Sequence, residues 1–246
     1  MNNLLSDGET FETSHLPWLL ENYRVTTASA NEIGRHATRV EFSPITADRP
    51  SRRIVVDDAT GVVMRPVRTG RGGQIGEVTA FLAFEEKPVG WLSQAALPAD
   101  LRLQPRAVPR PTTGLAASVL GGSRVPVVVP PGFHEVGEYL SGGTEPVLQV
   151  VFSDGLTTLV VYQRRGVIAS PPQGSRVIYT AGGPVWVHTV GLRTLVHWVH
   201  AGRVITVVGD VSPQSLLAAV ERTGVASAPR AWDRLLAWFA NLLNHL

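Results

Sequence analysis

The sequence predicts an α+β protein in which antiparallel β-sheet predominates. Three observations carry this. The chain spreads 24 glycines and 18 prolines along 246 residues, which suits short strands joined by tight turns better than long helices. Polar and apolar residues alternate in many short runs, the two-residue period of a half-buried strand. Only two segments, both near the carboxyl end, carry helical spacing instead. With 44% hydrophobic residues, the chain can supply a core to one large or two modest domains.

The elements follow in order. Residues 23–27, 37–42, 53–57, 62–68 and 75–84 read as strands of an antiparallel meander, with Asp58-Ala59-Thr60-Gly61 and Gly70-Arg71-Gly72-Gly73 as turns. A sheet of this kind has one apolar face that needs a second layer or barrel closure, and residues 1–22 show no evident cover. Residues 1–86 are therefore expected to form a partial β domain. From 87 to 122 the periodicity fades and Pro88, Pro98, Pro105, Pro109 and Pro111 punctuate a linker, with a short helical turn at 91–96. Lys87, Arg102, Arg106, Arg110 and Arg124 face only Asp100 there. A solvated linker and a dock for an acidic partner segment both fit, and Arg102, Arg106 and Arg110 are the candidate contacts.

Strand patterns return at 125–129, 149–152, 157–162, 185–190, 194–199 and 203–208, with hairpin turns at Ser153-Asp154-Gly155 and Ala201-Gly202. A helix over 212–222 opens on Ser212 as its cap and Pro213 at its first position, and Gly224 stops it. Residues 123–224 thus form an antiparallel sheet with a covering helix. The tail, 225–246, spaces Trp232, Leu235, Leu236, Phe239, Leu242, Leu243 and Leu246 along one helix face. That face fits packing on this chain or a sister subunit, a peripheral membrane contact, or a protein partner touching Trp232 and Phe239. Its few cations argue against tight binding to anionic lipid.

Composition and motif exclude more than they assign. A formal charge of +2 requires no cationic face, so no nucleic-acid partner is expected. The absence of cysteine removes disulfides, thiolate zinc sites and thiol catalysis. Residues 1–9 lack the basic and apolar regions of an export signal, and no apolar run reaches the roughly 18 to 20 residues of a membrane span. There is no Gly-x-Ser-x-Gly elbow, and residues 70–76 fit a hairpin better than a phosphate cradle. His197 and His200, three apart on a strand, point to opposite faces and cannot share a metal. Asp57-Asp58 and Glu85-Glu86 sit at turns or strand ends, where solvation explains them. Neither an enzyme nor a cofactor is expected.

Several ordered tracts resemble the RseB/MucB family of sigma-E regulatory proteins: Asn22-Tyr23-Arg24-Val25, Gly34-Arg35, Pro44, Asp57-Asp58-Ala59-Thr60-Gly61, Met64-Arg65, then Gly73 leading to Phe81. Later come Pro130-Pro131-Gly132-Phe133, Ser153-Asp154-Gly155-Leu156 and residues 207–213 ahead of the helix. Each tract alone is what any β protein uses at a turn, so their order over roughly 190 residues is the signal. The resemblance implies a LolA-like open half-barrel followed by a smaller α+β domain. It further implies a periplasmic regulator that binds the extracytoplasmic segment of a membrane anti-sigma factor and responds to lipid or lipopolysaccharide. A lipid or lipoprotein carrier of LolA type is the alternative. The half-barrel here is about half the family's length and the export signal is missing, so a start codon set too far downstream is expected.

Overall fold

The computed structural model describes residues 13–70, 73–84, 110–111, 124–141, 146–180 and 183–223. They divide into two compact units, Met1–Ser14 with Tyr23–Arg110, and His15–Asn22 with Pro111–Leu246. Among the described residues the architecture is antiparallel β with two open sheets, consistent with the α+β class, and neither sheet closes into a barrel.

The first unit is a five-stranded meander: β1 (Tyr23–Glu32), β2 (Arg35–Pro44), β3 (Ser51–Asp57), β4 (Val63–Thr69) and β5 (Ile75–Val78), hydrogen-bonded in chain order. Ile33 and Gly34 link β1 to β2 with φ of 46° and 78°, the doubly left-handed backbone of a type I′ hairpin. The fifth strand is shorter than its apolar pattern predicts. Beyond Val78 the N–H groups of Thr79 and Phe81 still donate to the carbonyls of Pro66 and Met64, each at 3.1 Å, so the chain keeps following β4.

The register separates two faces. One carries Val25, Val40, Phe42, Ile54, Val56 and Pro66. Phe42 is buried, but the other five are only partly covered, the incompletely clothed apolar face that the pattern predicts. The other face carries ion pairs: Arg53 with Glu41 at 2.8 Å and Arg65 with Glu32 at 2.9 Å.

The second unit holds α1 (Leu16–Asn22), Pro111 of the two-residue strand β6 (Arg110–Pro111), β7 (His134–Ser141), β8 (Val147–Ser153), β9 (Thr158–Arg165), β10 (Arg176–Thr180), β11 (Gly183–Val190), β12 (Arg193–His200), β13 (Arg203–Gly209) and α2 (Pro213–Thr223). The sheet runs β10-β11-β12-β13-β9-β8-β7-β6 and is the larger of the two, with eight strands against five. Its inner face buries Leu148, Val150, Leu159, Val161, Val196, Trp198, Ile205 and Val207 against Leu216 and Val220 of α2. Ser212 caps that helix, its Oγ accepting from the Ser215 N–H at 3.0 Å.

Residues 125–129 form no ladder. They lie against the core as an extended segment whose main chain is satisfied by side chains: Val125 N–H donates to Gln163 Oε1 at 3.0 Å and Val125 C=O accepts from Gln163 Nε2 at 2.8 Å. Val128 N–H donates to Thr223 Oγ1 at 2.9 Å. Alternating valines predicted a strand because they suit any buried extended chain. The Ser153-Asp154-Gly155 break is the hairpin connection expected there, joining β8 to β9. It is a four-residue loop closed by the Asp154 carboxylate, which accepts from the N–H groups of Leu156 at 3.0 Å and Thr157 at 2.6 Å.

Candidate partner-binding surfaces

In the second unit three separated tracts meet around α1. Asn22 Nδ2 donates to Trp18 O at 2.7 Å, to Gly132 O at 3.1 Å and to Asp154 O at 3.3 Å. Gly132, at φ 81°, leaves room for the Asn22 amide, which a Cβ there would strike. Gly155, at φ 96°, leaves room for the Leu19 main chain in the same way. Leu19 is 1% exposed. Trp18 stacks between His15 and His134, with ring centroids 4.6 Å apart on each side. The tracts at 22, 130–133 and 153–156 that carry the family resemblance are therefore joined by packing, and their glycines are needed for close backbone approach.

The 57–61 turn in the first unit is likewise structural. Asp57 is 1% exposed and accepts from Arg35 Nε at 2.7 Å and Nη2 at 3.0 Å, and from Thr60 Oγ1 at 2.6 Å and N at 3.0 Å. The Arg35 guanidinium, with help from Thr60, holds the Asp57 carboxyl far below the usual carboxylate range. Arg35 also lies 5.0 Å from the centroid of the Phe84 ring, and Phe84 meets Phe81 edge-on at 5.9 Å. Together with Leu82, 95% exposed, these rings form an open aromatic and aliphatic edge.

The outward face of the second sheet differs from both. Paired positions place Trp186, His197, Thr206, Tyr162, Gln149 and Tyr139 in one row across six adjacent strands. The row carries no carboxylate, lysine or arginine. Tyr139 lies down over Gly137, where a Cβ would meet its ring at 2.9 Å. His197 Nδ1 is 2.9 Å from Thr206 Oγ1, and burial, with the nearby His188 second, lowers its pKa. The row is a neutral strip of rings and hydrogen-bonding groups, buried at Trp186 and half-buried at the other five positions. Among the described residues no group of three or more metal-ligating side chains converges, and no helix is long and apolar enough to cross a membrane.

Of the five contact residues expected from sequence, Arg102, Arg106, Trp232 and Phe239 lie outside the described residues. Arg110 sits in β6 at the edge of the second sheet. The helical turn at 91–96 and the tail helix also lie outside the described residues. Sequence reasoning missed the row on the second sheet, although the alternations of Trp186 and His188 on one strand and of Leu195, His197 and Val199 on the next were visible. What a single sequence lacks is the register that lines up six strands.

No family model matches the chain, and no curated protein matches it. Solved structures do. The chain is similar to a crystal structure of MucB in complex with MucA(peri), with a TM-score of 0.55 and 18% identity over 87% of this chain and 73% of that one. It is also similar to the Pseudomonas aeruginosa MucA/MucB complex, at 17% identity over 89% of this chain and 71% of that one, with a TM-score of 0.48. A structure of MucB alone aligns at 18% identity over 88% and 67% of the two chains, with a TM-score of 0.46. The chain has an RseB/MucB-like fold.

Proposed function

We propose that this chain is a non-enzymatic, MucB-like regulator that works in the periplasm. It binds the extracytoplasmic segment of an anti-sigma factor and so governs an envelope stress response of the sigma-E type. The observation that carries this reading is the fold likeness to a MucB solved with MucA(peri) bound, which extends over 87% of this chain. The neutral strip on the second sheet supports it, offering hydrogen bonds and ring surface to an extended segment. Arg102, Arg106 and Arg110 would meet acidic residues of the same partner, and Trp232 and Phe239 would add apolar contact.

The test is calorimetric titration of the purified chain with the extracytoplasmic segment of an anti-sigma factor encoded beside its gene. Saturable one-to-one binding at micromolar concentration or tighter is expected, weakened by Tyr162→Ala and by joint charge reversal of Arg102 and Arg106. Absence of binding at that concentration would contradict the reading.

The half-covered apolar face of the first sheet favours one other reading, a carrier of lipid or lipoprotein. A carrier would take up a fluorescent fatty acid with no effect of an anti-sigma segment. A regulator that senses lipid would release the segment as lipid binds.

A further inference from the structure

Segment 125–129 lies against the core of the second unit the way a bound peptide lies in a groove. Val125 is buried, Val127 and Val129 pack against the core, and Pro126 and Val128 between them are exposed, the alternation of an extended chain that buries one side. Gln163, 1% exposed, donates to the C=O of Val125 and accepts from its N–H, as a neighbouring strand would. Thr223, at the end of α2, accepts from the Val128 N–H. None of these bonds reads the identity of a side chain. The side chains instead meet a groove between α2 and the sheet, where Leu159, Trp198, Val207, Leu216, Ala219 and Val220 line a small cavity against residues 127–130. Trp198 is fully buried, and its indole N–H has no acceptor among the described residues. The segment therefore fills the groove incompletely and leaves a donor of one lining residue unanswered.

We propose that this groove is a peptide-binding site, filled in the free chain by its own segment 125–129, and that an extended segment of a protein partner takes it by displacing that segment. No strand ladder ties 125–129 to the sheet, so it can lift away by breaking bonds to side chains while the sheet stays closed. The groove defines the occupant. It must be extended, with N–H and C=O free on one residue and an N–H free three residues on, which excludes proline at both positions. Residues matching Val125, Val127 and Val129 must be apolar, and β-branched ones suit the extended backbone. A charge at those positions would be buried without a partner. A carbonyl reaching the Trp198 indole would add a bond that the resident segment does not make. This is recognition in the manner of strand addition, with main-chain bonds for affinity and alternate side chains for specificity. The groove is on the inner face of the second sheet, opposite the neutral strip, and does not depend on the anti-sigma reading.

Hydrogen exchange tests the displacement in the unaltered chain. The amides of Val125 and Val128 should exchange at least about a hundredfold faster than those of Val161 and Val207 in the central strands β9 and β13, because the segment opens alone. A fluorescent peptide copying residues 124–130 tests the site itself. The wild-type chain should bind it weakly, since the resident segment competes at high effective concentration. Val125→Gly together with Val127→Gly loosens the resident segment. That variant should bind the peptide at least about tenfold more tightly than wild type, and the peptide should raise its melting temperature. Adding Gln163→Leu should abolish binding, as should aspartate at the two matching positions of the peptide. Amides of Val125 and Val128 that exchange no faster than those of the sheet would overturn the proposal, whatever the variants do. So would a folded double-glycine variant that binds no peptide, or binding that survives Gln163→Leu.

Discussion

Gly155→Ala should destabilise the second unit by more than backbone strain alone explains. Gly155 has φ of 96°, where an L-residue costs on the order of 1 to 2 kcal/mol. The added Cβ would also fall 2.7 Å from both Cα and Cβ of Leu19, where carbon atoms prefer 3.5 to 4.0 Å. The helix must then move by about 1 Å, and Leu19 and Asn22 move with it. Losing part of the Leu19 burial costs about 1 to 2 kcal/mol, and loosening the Asn22 bonds costs about 1 kcal/mol more. The total is about 3 to 5 kcal/mol, in the range reserved for a named structural fault. Gly202→Ala is the matched control. Its φ is 70°, but nothing lies within 4 Å of the new Cβ, so it should cost only the strain. Urea unfolding followed by tryptophan fluorescence, with Trp18, Trp186 and Trp198 in this unit, measures both. Equal losses in the two variants would refute the docking of α1 on the 153–156 loop.

Further predictions come from other buried polar groups. Gln163→Leu strips both partners from Val125 inside the core and should cost about 2 to 4 kcal/mol in the same urea assay, whereas Gln149→Leu on the outward row should cost under about 1 kcal/mol. Asp57 has a depressed pKa when folded, so its ion pair stabilises above the unfolded carboxylate value of about 4 and is lost as pH falls below it. Asp57→Asn should therefore cost stability at pH 7, with the deficit shrinking below pH 4. His197 also has a lowered folded pKa, so the unfolded chain takes its proton first and stability falls as pH drops below about 6.5. Parallel melts at pH 7.5 and 5.5 should show this loss in the wild type and a smaller one in His197→Gln.

Legibility in the sequence followed the strength of local patterns. The first four strands alternate cleanly and sit where the pattern puts them, as does α2, whose Ser212-Pro213 start is a strong signal. Strand β7 was missed because Glu135 and Glu138 interrupt its apolar face and the register shifts between Glu135 and Gly137. Helix α1, seven residues long, is too short for helical periodicity to emerge. The candidate surfaces were harder still. The Asn22, Gly132 and Gly155 tracts were visible as turn residues, but their meeting is a long-range fact that no local pattern encodes. The row from Tyr139 to Trp186 depends on the register of five strand pairings.

If, as proposed, this chain binds the extracytoplasmic segment of an anti-sigma factor, the bound segment should be shielded, and proteolysis measures that most directly. The extracytoplasmic segment is incubated with a site-specific envelope protease, with and without a slight excess of this chain, and cleavage is timed by gel densitometry. The account predicts cleavage slowed at least about tenfold by the wild-type chain, with protection reduced by Tyr162→Ala. Identical cleavage rates with and without the chain, under conditions where the protein is folded, would contradict it.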